Sequence, residues 1–260
     1  MKYYSYQYET VIRFDHPVTR HHFKLRCIPC RCDFQNLECH KLYMEPHDSL
    51  EYDADCFGNE VQYGYKTDAH DLFVFISCGE VSQIPYAICD EKPKSVYMLP
   101  SALTMIDEPM VKFYHVVRLD GGDNLDKAMA LCNAVHQWMD YLPGSTAVNT
   151  TAVEAFKKEK GVCQDFAHVL IALCRYQGIP ARYVNGFITG QGETHAWVEI
   201  YSNGEWRGVD PTNNVLIEYG YVKLAHGRDA ADCAVNRGVF TGCAQQQIEV
   251  KVIVKEIKEI

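Results

Sequence analysis

The stretch Gly161-Val162-Cys163-Gln164-Asp165-Phe166-Ala167-His168-Val169-Leu170-Ile171-Ala172-Leu173-Cys174-Arg175-Tyr176-Gln177-Gly178-Ile179-Pro180 has the pattern of one helix with marked ends. Phe166, Val169, Leu170, Leu173 and Cys174 follow the three-and-four spacing of a wide buried stripe. Gly178 suits a left-handed C-cap and Pro180 cannot continue a helix, so the segment closes there. The spacing therefore predicts a helix over Cys163 to Tyr176, the central helix of its half of the chain.

The elements around it follow from the same rules. Downstream, strand-like runs cover Ala181 to Ile188, Thr194 to Tyr201, Glu205 to Asp210 and, with clear alternation, Ile248 to Ile257. Upstream, Thr151-Ala152-Val153-Glu154 announces a capped helix that stops near Gly161. Leu125, Ala128, Met129, Cys132, Val135 and Met139 mark another, opening around Leu119-Asp120-Gly121-Gly122-Asp123-Asn124 and ending near Pro143-Gly144. From Tyr3 to about Val117 the chain is short runs of Tyr, Val, Ile, Phe and Thr between turn clusters such as Phe57-Gly58-Asn59. The change of period near residue 118 divides a β-rich, sandwich- or barrel-like region, 1–118, from a mixed α and β region, 119–260. No repeat or low-complexity tract interrupts either.

Composition narrows the function classes. With 260 residues, 47% hydrophobic and 23% charged, the chain can bury a substantial core. Its 34 acidic and 25 basic residues give a net charge of -9, which repels a phosphate backbone and argues against nucleic acid and anionic membranes. The longest apolar runs fall far short of the roughly 20 residues of a spanning helix. The first eight residues alternate as a strand and lack the apolar segment of a secretion signal. Twelve cysteines in a chain large enough to need no disulfides are expected to be reduced thiols, as in a cytoplasm.

Cys163 opens the central helix, where the positive end of the dipole favours a thiolate and unpaired amides can hold an oxyanion. A thiolate nucleophile needs a base. His168 lies five residues on, roughly 140° around the helix, and Asp165 about 200° around, so neither side chain points the way Cys163 points. Both are expected to pack or support. His195 is better placed. Thr194 to Tyr201 alternates, Ser202-Asn203-Gly204-Glu205 supplies a turn, and Trp206 to Asp210 returns. If Asn203-Gly204 is the two-residue turn, Asp210 opposes Trp197 and shares a face with His195 as its diagonal neighbour. A carboxylate there can fix the ring's tautomer and stabilise its imidazolium. Cys27, Cys30, Cys32, Cys39 and His40 have the density of a zinc site, but no second Cys-x-x-Cys pair follows. Alternation through Phe23 to Cys27 would also send successive cysteines to opposite faces, which argues against a metal.

Four blocks, Gly161 to His168, Gly178-Ile179-Pro180-Ala181-Arg182-Tyr183-Val184, Thr194-His195-Ala196-Trp197-Val198-Glu199 and Asp210-Pro211-Thr212-Asn213, resemble in order and spacing the core of the bacterial transglutaminase-like superfamily. The likeness continues more weakly through His226-Gly227-Arg228-Asp229. Ala230-Ala231-Asp232-Cys233 then departs from the aromatic that often follows in that family. Asp53 to Val61 resembles the β-rich region that precedes such cores. The resemblance implies an α+β, papain-like transglutaminase core, a central helix on an antiparallel sheet, preceded by a β-sandwich-like domain. It also implies Cys163 as nucleophile, His195 as base and Asp210 as orienting acid. The chemistry implied is acyl transfer on a peptide or protein amide through a thioester, with no metal or cofactor. Hydrolysis by a peptidase or amidase is the expected outcome, with lysine crosslinking or a non-catalytic binding module as the alternatives.

Overall fold

The computed structural model describes residues 1–119 and 121–257. Asp120 of the boundary stretch and residues 258–260 of the second region lie outside it. In chain order the strands are β1 (Lys2–Leu25), β2 (Gln35–Glu45), β3 (Ser49–Ala54), β4 (Glu60–Lys66), β5 (His70–Gln83), β6 (Asp140–Tyr141), β7 (Lys160–Gly161), β8 (Ala181–Ile188), β9 (Gly190–Gly192), β10 (His195–Ser202), β11 (Glu205–Asp210), β12 (Val215–Leu216), β13 (Tyr221–Gly227), β14 (Asn236–Thr241) and β15 (Gln246–Ile257). The helices are α1 (Glu108–Val116), α2 (Asn124–Trp138), α3 (Ala152–Lys158) and α4 (Cys163–Tyr176).

β1 organises the first sheet. Its first part pairs with β5 on one side and β15 on the other; its last part pairs with β4 from His21 on and, across an irregularity between Thr19 and His22, with β14 from Thr19 on. Tyr4, Tyr6, Tyr8, Thr10, Ile12 and Phe14 alternate onto its buried face. The second sheet is antiparallel, in the order β12-β11-β10-β8-β13. Phe187 of β8 meets Tyr6 and Tyr8 of β1 at ring-centroid distances of 6.1 and 5.1 Å. The two sheets therefore share one hydrophobic cluster, which continues into the inner faces of α2, α3 and α4.

α4 runs from Cys163 to Tyr176, the expected span, and every side chain from Asp165 to Arg175 is buried. Gly178 follows at a φ of 80°. Thr151 and Glu154 form the reciprocal cap of α3, which ends at Lys158, with Glu159 in the left-handed conformation, a turn before Gly161. Two findings differ from the sequence reading. Residues 108–116, expected among strands, form α1, started by Asp107 accepting from the Met110 amide and by a proline in the first turn. The alternating C-terminal run is a strand, but it lies in the first sheet, paired along its length with β1 of the 1–118 region and over three residues with β9, and not in the second sheet. Periodicity reports which face is buried and carries no information about a partner more than 200 residues away.

The second sheet leaves no room at Gly186. A Cβ there would lie 2.1 Å from the Val222 carbonyl oxygen and 2.6 Å from the Trp197 ring. Gly186→Ala is expected to destabilise the protein by about 1–3 kcal/mol, as other overpacked cores are. Denaturant unfolding would show this as a lower midpoint at unchanged slope.

Candidate active site

The start of α4 is fixed by Asp165. Its Oδ2 accepts from the Val162 amide at 2.8 Å and from the Thr146 hydroxyl at 2.6 Å. A Cβ on Gly161 would lie 2.6 Å from Asp165 Cβ, so glycine is what lets the chain enter the helix so close to this carboxylate. The Val162 carbonyl already receives the Asp165 and Phe166 amides. Those of Cys163 and Gln164 stand ahead of them in the first turn. Cys163 itself is partly exposed.

The hairpin between β10 and β11 has the expected register, with Ser202 opposite Glu205 and Val198 opposite Val209. Asn203 and Gly204 turn it at φ values of 52° and 94°, the positive pair that a tight two-residue turn of this kind uses. His195 and Asp210 therefore share a face, and His195 Nε2 lies 2.8 Å from Asp210 Oδ2. With Nε2 engaged, Nδ1 is the nitrogen left for Cys163. Burial alone would lower the pKa of His195, but hydrogen bonding to Asp210 and to Cys163, with their charges, raises it to about 10.

Asp210 is fully buried and fully satisfied. Oδ2 also accepts from Tyr221 Oη at 2.8 Å and Asn213 Nδ2 at 2.7 Å, while Oδ1 accepts from the Thr212 and Asn213 amides at 2.8 and 3.2 Å. Burial opposes its charge, yet His195, Tyr221 and Asn213 keep its pKa below the usual value. The Asx-type turn of Asp210-Pro211-Thr212-Asn213 is written in the sequence; the Tyr221 contact comes from another strand and is not.

Beneath the ring lies Trp197, nearly parallel to His195 with centroids 6.5 Å apart. Trp197 Nε1 donates to Tyr86 Oη at 3.0 Å, and Tyr86 donates to Glu199 Oε1 at 2.5 Å. Glu199, on β10, is fully buried and also binds Arg182 Nε of β8 and Lys223 Nζ of β13, the latter at 2.8 and 2.9 Å. Burial alone would raise its pKa, but these two cations hold it at about 2. Arg182 reaches Glu91 as well, at 2.7 Å. Tyr141, paired with Gly161 across β6 and β7, stands near Cys163: burial first, then the charges of Cys163 and Glu193, raise its pKa.

His168 and Asp165 point away from Cys163. His168 is buried, its pKa pushed down to about 4 by desolvation, and Nε2 accepts from the Ala230 amide at 3.1 Å. Arg175, near the other end of α4, donates to the Arg228 carbonyl at 2.7 Å. The loop after β13 is thus tied to α4 at two points, and within it Asp232 binds Arg228 through both oxygens at 2.8 and 3.1 Å. Of the early cysteines, only Cys30 and Cys32 are seen to meet, as a hydrogen-bonded pair of thiols, among the described residues. Cys27 Sγ donates to Gln62 Oε1 at 3.4 Å, Cys39 is exposed, and no group of three or more His, Cys, Asp or Glu side chains is arranged for a metal among the described residues.

Residues 116–211, which hold Cys163, His195 and Asp210, match the transglutaminase-like superfamily core, and residues 4–82 match the bacterial transglutaminase-like N-terminal region. The chain thus carries a region matching the transglutaminase-like core behind a region matching the bacterial transglutaminase-like N-terminal part. Among curated relatives, an uncharacterized protein of Mycobacterium leprae is 37% identical over 124 residues, 44% of this chain and 44% of that protein. An uncharacterized protein of Mycobacterium tuberculosis is 34% identical over 139 residues, 47% of this chain and 44% of that one. The match thus spans less than half the length of these relatives. A crystal structure of a candidate cysteine protease from Cytophaga hutchinsonii superposes with a TM-score of 0.82 at 24% identity, over 100% of this chain and 93% of that one, and establishes the shared fold. No helix among the described residues is long and apolar enough to cross a membrane.

The raised pKa of His195 has a signed consequence. Its folded value lies above the unfolded one, so protonation favours the fold fully below about pH 6.5, and this contribution is lost as pH rises toward about 10. Imidazole NMR should show His195 protonated through neutral pH, and Asp210→Asn should lower its midpoint. A ring that titrates at the ordinary value in both proteins would contradict the assignment.

Proposed function

We propose that the protein is a cysteine-dependent acyl-transfer enzyme acting on amide bonds, with Cys163 as nucleophile, His195 as proton carrier and Asp210 as the group that orients the ring. The observation that carries this reading is the 2.8 Å contact of His195 Nε2 with a buried, fully bonded carboxylate, which turns the other ring nitrogen toward the cysteine at a helix start. The Cys163 thiolate adds to the amide carbonyl, forming a C–S bond. The oxygen takes up the charge beside the first-turn amides. Collapse breaks the C–N bond, His195 gives its proton to the leaving amine, and a thioester remains. Water then attacks the thioester with His195 taking its proton, and the thiolate leaves with the acid released.

The acceptor distinguishes a peptidase or amidase from a crosslinking enzyme, because a lysine amine can resolve the same thioester. Hydrolysis is the reading adopted, since it needs only water in the second step and spares the proteins of the host cell. The twelve cysteines are all free, which is consistent with work in a reducing compartment such as the cytoplasm.

The test is a peptide-amide library incubated with and without a tagged primary amine and analysed by mass spectrometry. Cleaved or deamidated products without tag incorporation are expected, with Cys163→Ala lowering turnover by roughly 10³-fold or more. Tag incorporation as the main product would move the assignment to crosslinking. Equal product from wild type and Cys163→Ala would overturn the mechanism.

A further inference from the structure

A cleft of about 1090 Å³ runs from Gln164 and Thr194, the neighbours of Cys163 and His195, along the face of the first sheet to β14. Its charge is opposite in sign to that of the protein. The chain carries a net charge of -9, yet the charged residues lining the cleft are Lys24, Arg228, Arg237 and one carboxylate, Asp229, with His22 beside them. Asp229 is only 3% exposed and its charge is felt by buried Arg175 and His168, so it offers little negative surface to a ligand. Arg228 is met by Asp232.

Lys24 and Arg237 are different. They are directly opposed in the β1–β14 register, so two like charges stand on one face at the separation of a cross-strand pair. Among the described residues neither forms an ion pair with a carboxylate; the Lys24 ammonium instead lies over the Tyr63 ring, 5.1 Å from its centroid. The next row carries His22 opposite Val239, with Tyr65 on the other side of His22. Like charges opposed across a ladder destabilise the sheet and gain a counterion only from outside the chain. Tyrosines beside them give a bound segment an apolar surface as well as charge.

We propose that this cleft selects acidic peptide segments, with Lys24 and Arg237 holding carboxylates of the substrate while the amide to be attacked lies at Cys163. The proposal rests on the acyl-transfer reading for the position of the scissile amide, but the affinity for acidic segments does not depend on turnover. A strand-like peptide fits the free edge that β14 presents, since among the described strands β14 pairs only with β1. The negative exterior would repel such a peptide elsewhere and leave the cleft as its landing place.

Binding is tested on full-length Cys163→Ala protein, so that failure of catalysis leaves the measurement intact. The probe is a fluorescein-labelled decapeptide of alternating Glu and Ala, compared by anisotropy with the same peptide carrying Gln for Glu. At low salt the acidic peptide should bind roughly fivefold more tightly or better, the preference shrinking as salt is added. Lys24→Gln combined with Arg237→Gln should abolish the preference. Lys41→Gln with Lys251→Gln, exposed positions that do not line the cleft, should keep it, and thermal melting checks that both double variants fold. Equal binding of the two peptides, or a preference that survives Lys24→Gln/Arg237→Gln, would overturn the proposal. So would tighter binding of a single-stranded DNA oligonucleotide than of the acidic peptide, because the cleft would then be reading phosphate. Turnover failing in wild type while the acidic preference holds would refute the catalytic reading and leave this one standing.

Discussion

Glu199 is the point on which the second sheet turns. A carboxylate with no solvent exposure is costly to bury, and leaving one unpaired would destabilise a protein by several kcal/mol. Here it is met by Arg182 from β8, Lys223 from β13 and Tyr86 from the segment after the first sheet. Three elements distant in sequence are thereby fixed to one residue of β10. Because each partner has one geometry in which the group is satisfied, the cluster specifies the register of the sheet more than it adds to stability.

That register is what the site uses. Tyr86 carries the order from Glu199 to Trp197, and Trp197 lies flat beneath His195. On the other side, Asp210 is held by five hydrogen bonds from His195, Tyr221, Thr212 and Asn213, so its carboxylate cannot rotate away from the ring. Asp165 and Gly161 perform the corresponding task for α4, setting where the helix starts and hence where Cys163 stands. Cysteine and histidine come from different layers, and each layer is anchored by a buried carboxylate other than Asp210, Asp165 for α4 and Glu199 for the second sheet.

How much of this the sequence carried depends on the range of the interaction. The ends of α4 were legible because Gly178 and Pro180 act locally, and the His195–Asp210 pairing because Asn203-Gly204 fixes the hairpin by itself. The placement of Asn213 on Asp210 is local too, through an Asx-type turn. Tyr221 and Lys223 were not legible, since β13 reaches the site only by lying beside β8, which the chain has left some thirty residues earlier. α1 is hard to read although Asp107 and Pro109 mark its start, because the surrounding β-type composition dominates the pattern. The partner of β15 and the charge reversal of the cleft are properties of the assembled fold and have no short-range signature.

The central claim is that Cys163 and His195 act as a reactive pair. The direct measurement is low-dose iodoacetamide labelling of the native protein from about pH 5 to about pH 9, with peptide mapping, in wild type and His195→Ala. The account predicts that Cys163 alkylates ahead of the other eleven cysteines at acidic pH and loses that advantage without His195. Labelling of Cys163 no faster than that of the exposed cysteines, or unchanged by His195→Ala, would contradict it.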